Sequence, residues 1–150
     1  MKYSEYNIIE IQSVIKPDRF ITEVIKYLIL HNDVLYINFS GKRYIYMIIN
    51  LLRSVPFKLI QAPIYPLFAI YFIFTKNSSS ILISMLNKKK FEDIQWHIIN
   101  SKGSQLALNY YSKRNVQFCY YSEFELENLL KLLDHFTGEK IITNYDIIYD

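Results

Sequence analysis

The chain has 150 residues, of which 51% are hydrophobic and 17% aromatic, and its formal net charge is +3. This composition excludes a disordered chain, and the length suits one domain with a sizeable core. The single cysteine, Cys119, excludes an intramolecular disulfide and a cysteine-based zinc site. The first residues lack the apolar segment of a signal peptide, so we predict a cytoplasmic protein.

Charge is distributed unevenly along the chain. Residues 34–91 contain eight Lys or Arg and no Asp or Glu, whereas residues 115–150 carry a formal charge of −5. An acid-free basic segment favours an anionic partner, such as nucleic acid, a phosphorylated ligand or an acidic protein. The alternative is that the acidic segment folds over the basic one and neutralises it.

The first ninety residues alternate between predicted strands and helices. Residues 6–15 read as a strand, and Pro17 stands where a helix over 18–31 would begin. The apolar face of that helix is Ile21, Val24, Ile25, Leu28 and Ile29. A strand at 34–39 precedes a second helix, whose predicted apolar face is Ile45, Ile48, Ile49 and Leu52.

Two further strands and a third helix follow. A short strand is predicted at 57–60, and residues 67–75 read as a central strand buried on both faces. Ser78 to Ser80 can cap a helix that runs to Lys88–Lys90, with Leu82, Met85 and Leu86 facing inward. Alternation of this kind is typical of βαβ units and a largely parallel sheet.

The remaining sequence has a different pattern. Residues 94–100, 105–112 and 115–121 are strand-like and joined by short polar turns, which predicts an antiparallel meander. Ser122 and Glu125 form a capping box at the start of a helix, and Gly138 is its predicted C-terminal cap. The predicted apolar face of this helix is Leu126, Leu129, Leu130, Leu133 and Phe136, and a last strand follows at 140–149.

These elements predict one mixed α/β domain over residues 1–150. Its first ~90 residues would form a βαβ-type, largely parallel sheet. An antiparallel meander, a helix and a C-terminal strand would follow it. The uncharged run between Lys58 and Lys76 is too short for a membrane helix and is broken by Pro63 and Pro66, so no transmembrane segment is predicted. Peripheral membrane contact, helped by the flanking basic residues, is the alternative for that run.

Two loops are predicted to bind an anion together. Each follows a strand and precedes a helix, and the amino end of a helix attracts anions. If the strands are parallel, both loops lie at one edge of the sheet. The predicted anion-binding residues are Ser40, Gly41, Lys42, Arg43, Lys76, Ser78 and Ser79. The first loop is not a nucleotide-binding P-loop, because its first glycine is missing and Arg43 replaces the required Ser or Thr.

Two charged helix segments are candidates for binding a partner protein. The acidic residues Glu123, Glu125 and Glu127 lie on the outer face of the last predicted helix, and Lys88, Lys89 and Lys90 end the third. An acidic face can set the association rate with a basic protein. The alternative is that these charges complement the helix dipole and are otherwise solvated.

No catalytic constellation stands out in the sequence. His31, His97 and His135 are scattered, without the spacing of metal ligands. His97, near Arg114 and several tyrosines, is compatible with a metal-independent ribonuclease, but no second catalytic group is identifiable. Cys119 alternates with Phe118 and Tyr120, which indicates a structural residue.

The functional hypothesis is therefore a small protein that binds a macromolecule and has no enzymatic activity or cofactor. The partner would be a protein, and the chain would act as an inhibitor of the immunity or antitoxin type, with a toxin as its target, or as an accessory subunit of a complex. The second hypothesis is a nucleic-acid or nucleotide-phosphate binder that uses the basic segment 34–91. A ribonuclease built around His97 is the third.

Overall fold

Four helices and eight strands are present in the computed structural model, which describes residues 2–12, 17–40, 44–61, 68–88, 94–112, 115–134 and 139–149. The strands are β1 (Lys2–Gln12), β2 (Val34–Ser40), β3 (Phe57–Gln61), β4 (Phe68–Thr75), β5 (Gln95–Asn100), β6 (Gln105–Ser112), β7 (Asn115–Tyr120) and β8 (Glu139–Tyr149). The helices are α1 (Pro17–His31), α2 (Ile45–Ser54), α3 (Ser79–Lys88) and α4 (Glu123–Leu133).

The eight strands form one sheet in the order β3-β4-β2-β5-β6-β7-β1-β8. Every neighbouring pair is antiparallel, for example β2 with β4 (Ile37 opposite Phe72) and β2 with β5 (Asn38 opposite His97). The prediction of a largely parallel sheet in the first ninety residues is therefore wrong. The predicted antiparallel meander is present as β5, β6 and β7.

The helices nevertheless connect strands that run in the same direction. Three of these connections pass over one intervening strand: β2–α2–β3, β4–α3–β5 and β7–α4–β8. The fourth, β1–α1–β2, passes over three. Because neighbours are antiparallel, strands separated by one or three others are co-directional. The strand–helix alternation therefore belongs to crossovers between strands that are not neighbours, and the prediction was wrong because it took the connected strands to be adjacent.

All four helices pack on the same face of the sheet. Their buried residues join one apolar core with alternate strand residues, among them Leu35, Ile37 and Phe39 of β2. In α1 the predicted inward face is buried throughout, and in α3 Leu82 and Leu86 are buried while Met85 is half-buried. In α4, Leu129 and Leu133 are buried and Leu126 and Leu130 partly so. We call this side of the sheet the helix face.

The inward face of α2 differs from the prediction. Met47 and Leu51 enter the core, with Met47 only 6% exposed. Of the predicted face, Ile48 and Leu52 are half-buried. Ile45 is 55% exposed, and Ile49 is also exposed. Residues 45, 48, 49 and 52 therefore form a second apolar side of the helix, which the core covers only in part.

Strand β4 is also placed differently from the prediction. It was expected at the centre of the sheet but lies next to the edge strand β3. Its middle is buried on both faces, as its apolar sequence indicated: Phe72 points to the helix face and Tyr71 to the opposite face. The capping-box helix and the C-terminal strand are present as α4 and β8, whereas the predicted cap at Gly138 lies outside the described residues.

The turn between β5 and β6 is held by one asparagine side chain. Oδ1 of Asn100 accepts hydrogen bonds from the backbone N–H groups of Lys102 (2.9 Å) and Ser104 (3.0 Å). Gly103 has φ 84°, a left-handed conformation that glycine adopts at little cost. Across the described part of the chain, no helix is long and apolar enough to cross a membrane.

Candidate partner-binding surface

The basic and acidic segments lie at opposite edges of the sheet. Residues 34–91 supply β2, α2, β3, β4 and α3, and residues 115–150 supply β7, α4 and β8. From β3 to β8 there are seven strand spacings, about 34 Å at roughly 4.8 Å per spacing. Lys26 Nζ lies 3.5 Å from Glu23 Oε1 within α1, an ion pair that does not join the two charged segments. The topology thus separates the two charged segments along the sheet.

The basic edge carries a group of exposed apolar side chains. Tyr46 is 75% exposed on α2, and Leu59 is 55% exposed on β3. The six side chains of this group belong to elements at the same edge of the sheet, and contiguous exposed apolar surface is typical of interaction sites. We call this group the edge surface, and its members are Ile45, Tyr46, Ile49, Phe57, Leu59 and Phe68.

Strand pairing fixes the face on which the β3 side chains lie. Phe57 is opposite Phe72, whose side chain is in the core, so Phe57 lies on the helix face. Leu59 lies on the same face because strand side chains alternate, and so does Phe68, which is four residues before Phe72 on β4. The apolar side chains of β3 and of the start of β4 therefore lie on the side of the sheet that carries α2.

Positive charge borders this apolar group. Lys58 is exposed on the opposite face of β3, across from Tyr71, and Arg53 is exposed in the last turn of α2. Since residues 34–91 contain no Asp or Glu, no acidic residue of this segment offsets the two charges. The edge surface is thus apolar with a basic border.

The predicted shared anion pocket rests on a wrong premise. Ser40 ends β2, and Lys76 follows β4, but these strands are antiparallel and Thr75 is opposite Val34. Ser40 is six residues from Val34 along the strand, about 20 Å at roughly 3.4 Å per residue. The two loops therefore lie at opposite ends of the strands. Gly41, Lys42 and Arg43 lie outside the described residues.

The serines of the second loop bond within their own turn. Oγ of Ser78 accepts from the N–H of Thr75 (2.8 Å), and Oγ of Ser79 donates to the carbonyl of Lys76 (2.9 Å). Ser79 is also buried. In the first loop, Ser40 Oγ donates to Gln95 Oε1 at 3.4 Å. The bonds of Ser78 and Ser79 are those of an ordinary strand-to-helix turn, and that of Ser40 joins β2 to β5. Anion binding by either loop stays a prediction.

The acidic residues predicted to bind a partner lie at the start of α4. Oγ of Ser122 accepts from the N–H of Glu125 (3.2 Å), and Oε2 of Glu125 accepts from the N–H of Tyr121 (2.9 Å). The bond from Glu125 to the N-cap Ser122 is as predicted, while the carboxylate of Glu125 accepts from Tyr121, one residue before the N-cap, which gives Glu125 a structural role. Glu123 and Glu127 are exposed in the same part of the helix as Phe124, which is 67% exposed.

The basic end of α3 is described only in part. Lys88 is the last residue of the helix, while Lys89 and Lys90 lie outside the described residues. A role for these lysines in partner binding stays a prediction.

A buried polar chain crosses the sheet on the face opposite the helices. Tyr71 Oη lies 2.6 Å from His97 Nδ1, His97 Nε2 lies 3.1 Å from Gln105 Oε1, and Gln105 Nε2 lies 3.5 Å from Cys119 Sγ. The amide oxygen of Gln105 can only accept, so His97 Nε2 carries the proton. Nδ1 then accepts from the hydroxyl of Tyr71, and each donor along the chain points towards Cys119.

Burial favours the neutral forms of His97 and Cys119 in this chain of hydrogen bonds. Desolvation lowers the pKa of His97, although its hydrogen bond to Gln105 opposes the shift. Desolvation likewise raises the pKa of the Cys119 thiol from 9.0 to about 11. A protonated thiol is a weak nucleophile, and both ring nitrogens of the buried His97 have hydrogen-bond partners within the protein. The arrangement is that of a structural network.

Neither a metal site among the described residues nor a similarity to known proteins assigns a function to this chain. Within the described ranges, no three His, Cys, Asp or Glu side chains form a group that could hold a metal ion. Comparison with protein-family models, curated proteins and solved structures found no match. Geometry and charge are therefore the basis for any functional proposal.

The edge surface was missed in the sequence although its signal was present. Seven of the ten residues of α2 are apolar, and they surround most of the helix. A helix that packs on one side cannot bury so wide an apolar surface. Two apolar sides, one led by Met47 and Leu51 and one by Ile45 and Ile49, would have indicated that one of them meets a partner.

Proposed function

We propose that this protein binds an acidic partner protein through the edge surface and has no enzymatic activity of its own. The observation that supports the proposal is that α2 and β3, on the same face of one sheet edge, both expose apolar side chains within an acid-free basic segment. Protein interfaces typically combine an apolar, aromatic centre with a polar border, and Tyr is among the residues that contribute most to binding. The role we favour is that of an inhibitor of the immunity or antitoxin type, or of an accessory subunit.

Charge separation supports an acidic partner. The basic segment lies at the β3 edge, away from the acidic β7, α4 and β8. Complementary charge speeds encounter and rejects partners of the wrong sign. Glu123, Glu127 and Phe124 at the start of α4 would instead suit a basic partner, and they are the second candidate surface for the same function.

The experiment is isolation of complexes from the cells that produce the protein. Tagged wild type is compared with the double variant Tyr46→Ala/Leu59→Gln and with Leu30→Gln, a control at an exposed apolar residue of α1 outside the edge surface. We expect one stoichiometric, acidic protein to bind wild type and the control, and to be lost with the double variant. Retention of that protein by a correctly folded double variant would refute the edge surface as its binding site.

Nucleic-acid binding is the second candidate function. The exposed aromatic residues Tyr46, Phe57 and Phe68 lie in the same basic segment as Arg53 and Lys58, and bases of single-stranded nucleic acid stack on such residues. Fluorescence anisotropy with labelled DNA and RNA over about 50–300 mM salt tests it. Tight binding that weakens steeply with salt would favour this candidate. No binding at low salt would favour the protein partner.

A further inference from the structure

We propose that the partner adds a strand to the outer edge of β3, and that this strand alternates apolar and acidic side chains. The inference rests on the proposed function and specifies how the partner binds. It is argued from the position of β3 in the sheet, from the alternation of its side chains and from the charge of its segment.

Strand β3 ends the sheet on the basic side. It pairs with β4 along Phe57–Gln61, and no described strand pairs with its other side. In an antiparallel ladder, every second residue directs its backbone N–H and C=O away from the neighbour. Such an edge is a template for an extended segment, whose main chain supplies affinity through hydrogen bonds.

The side chains of β3 select the sequence that an added strand would carry. Phe57 and Leu59 are exposed on the helix face, and Lys58 is exposed on the other. Side chains of a paired strand contact those directly opposite them on the same face. Apolar residues of the added strand would therefore cover Phe57 and Leu59, while acidic residues between them would lie beside Lys58.

The same features disfavour a second copy of this chain as the occupant. Two β3 edges paired with each other would bring together two segments that contain no Asp or Glu to offset eight basic residues each. A lysine in the middle of an edge strand is a common protection against self-association. Lys58 therefore opposes pairing between copies and favours a partner strand of opposite charge.

The test uses the full chain and a short, end-blocked peptide of alternating Glu and Val residues, followed by amide NMR spectra. We expect chemical-shift changes concentrated at residues 57–61 and slower hydrogen exchange of alternate amides of β3. Methylating alternate backbone nitrogens of the peptide should weaken binding about fivefold or more for each hydrogen bond lost. The matched peptide of alternating Lys and Val should not bind.

A charge reversal provides the specificity control. Lys58→Glu should weaken binding of the Glu–Val peptide roughly two- to fivefold. The same variant should bind the Lys–Val peptide. Shift changes away from β3, or equal binding of the methylated peptide, would overturn strand addition. If the isolated partner depends on Tyr46 and Leu59 but leaves the β3 amides unprotected, the strand inference fails and the proposed function stands. If the partner ignores the edge surface, both fail.

Discussion

The hydroxyl of Tyr71 on β4 lies 2.6 Å from Nδ1 of His97 on β5, although β2 runs between these two strands. The residue of β2 directly opposite His97 is Asn38, whose amide turns aside to donate to the carbonyl of Ile70 at 2.8 Å. Tyr71 can therefore reach over the intervening strand. The bond ties together three strands on the face that no described helix covers.

Removing this bond should lower the stability of the fold. We expect Tyr71→Phe to reduce the free energy of unfolding by about 1 kcal/mol, since a net hydrogen bond contributes roughly that much. Urea unfolding followed by circular dichroism measures the change. Tyr46→Phe is the control, because Tyr46 is exposed on α2, and it should leave the midpoint unchanged. Equal effects of the two substitutions would contradict a stabilising role for the Tyr71–His97 bond.

Burial of His97 predicts a loss of stability in acid. Its folded pKa is lowered below the ordinary value of 6.5, so near that pH the unfolded chain binds more protons than the folded one. The contribution of His97 is complete above the unfolded pKa and is lost as the pH falls through 6.5 towards the folded pKa. Unfolding free energies measured from about pH 7.5 to about pH 5 should fall more steeply for wild type than for His97→Gln. An equal dependence of the unfolding free energy on pH in the two proteins would refute the assignment of this loss to His97.

The thiol of Cys119 should react slowly while the protein is folded. Its pKa is raised from 9.0 to about 11, which reduces the thiolate fraction at neutral pH about a hundredfold. We expect labelling by a disulfide reagent to be at least that much slower in native buffer than in denaturant. A native rate close to the denatured rate would mean that Cys119 is exposed and reactive.

The capping box should distinguish Glu125 from its acidic neighbours. We expect Ser122→Ala to cost about 1 kcal/mol of stability, since it removes the acceptor for the N–H of Glu125. Glu125→Ala should also destabilise, because Glu125 accepts from the N–H of Tyr121, whereas Glu127→Ala should have little effect. Thermal unfolding of the three variants measures this. A destabilised Glu127→Ala would contradict the assignment of the structural role to Glu125.

Two neighbouring residues of α2 test the difference between its buried and exposed sides. Met47→Ala should cost about 2–5 kcal/mol, because Met47 is in the core. Tyr46→Gln should change stability by less than about 0.5 kcal/mol and should abolish partner binding. Loss of stability in both variants would place Tyr46 in the core and remove it from the edge surface.

The local structure could be predicted from the sequence to a large extent. The apolar spacing of α1 predicted its inward face, and the polar turns between 94 and 121 predicted the meander. These signals are local, because each depends on residues close together in the chain. A helix of crossover length predicts that the strands it joins run in the same direction, and β2 and β3 do so.

The adjacency of strands could not be predicted in the same way. Whether β4 inserts between β2 and β3 depends on pairings such as Ile37 with Phe72, which are distant in sequence and use apolar residues that fit many partners. The predicted anion site combined Ser40 with Lys76 on the assumption of parallel strands, and the antiparallel pairing places these two residues at opposite ends of β2 and β4. The edge surface depends on which apolar side of α2 packs on the sheet. The spacing of apolar residues in α2 fits two different sides, so it does not decide between them.

Hydrogen exchange of the free chain and of its isolated complex, read by mass spectrometry, tests the central claim most directly. We predict slower exchange in the complex over α2 and β3, within residues 45–61, and little change over α4. Slowing confined to the start of α4, around Phe124, would assign the interface to the acidic edge of the sheet. It would contradict the proposal that the apolar, basic edge surface binds the partner.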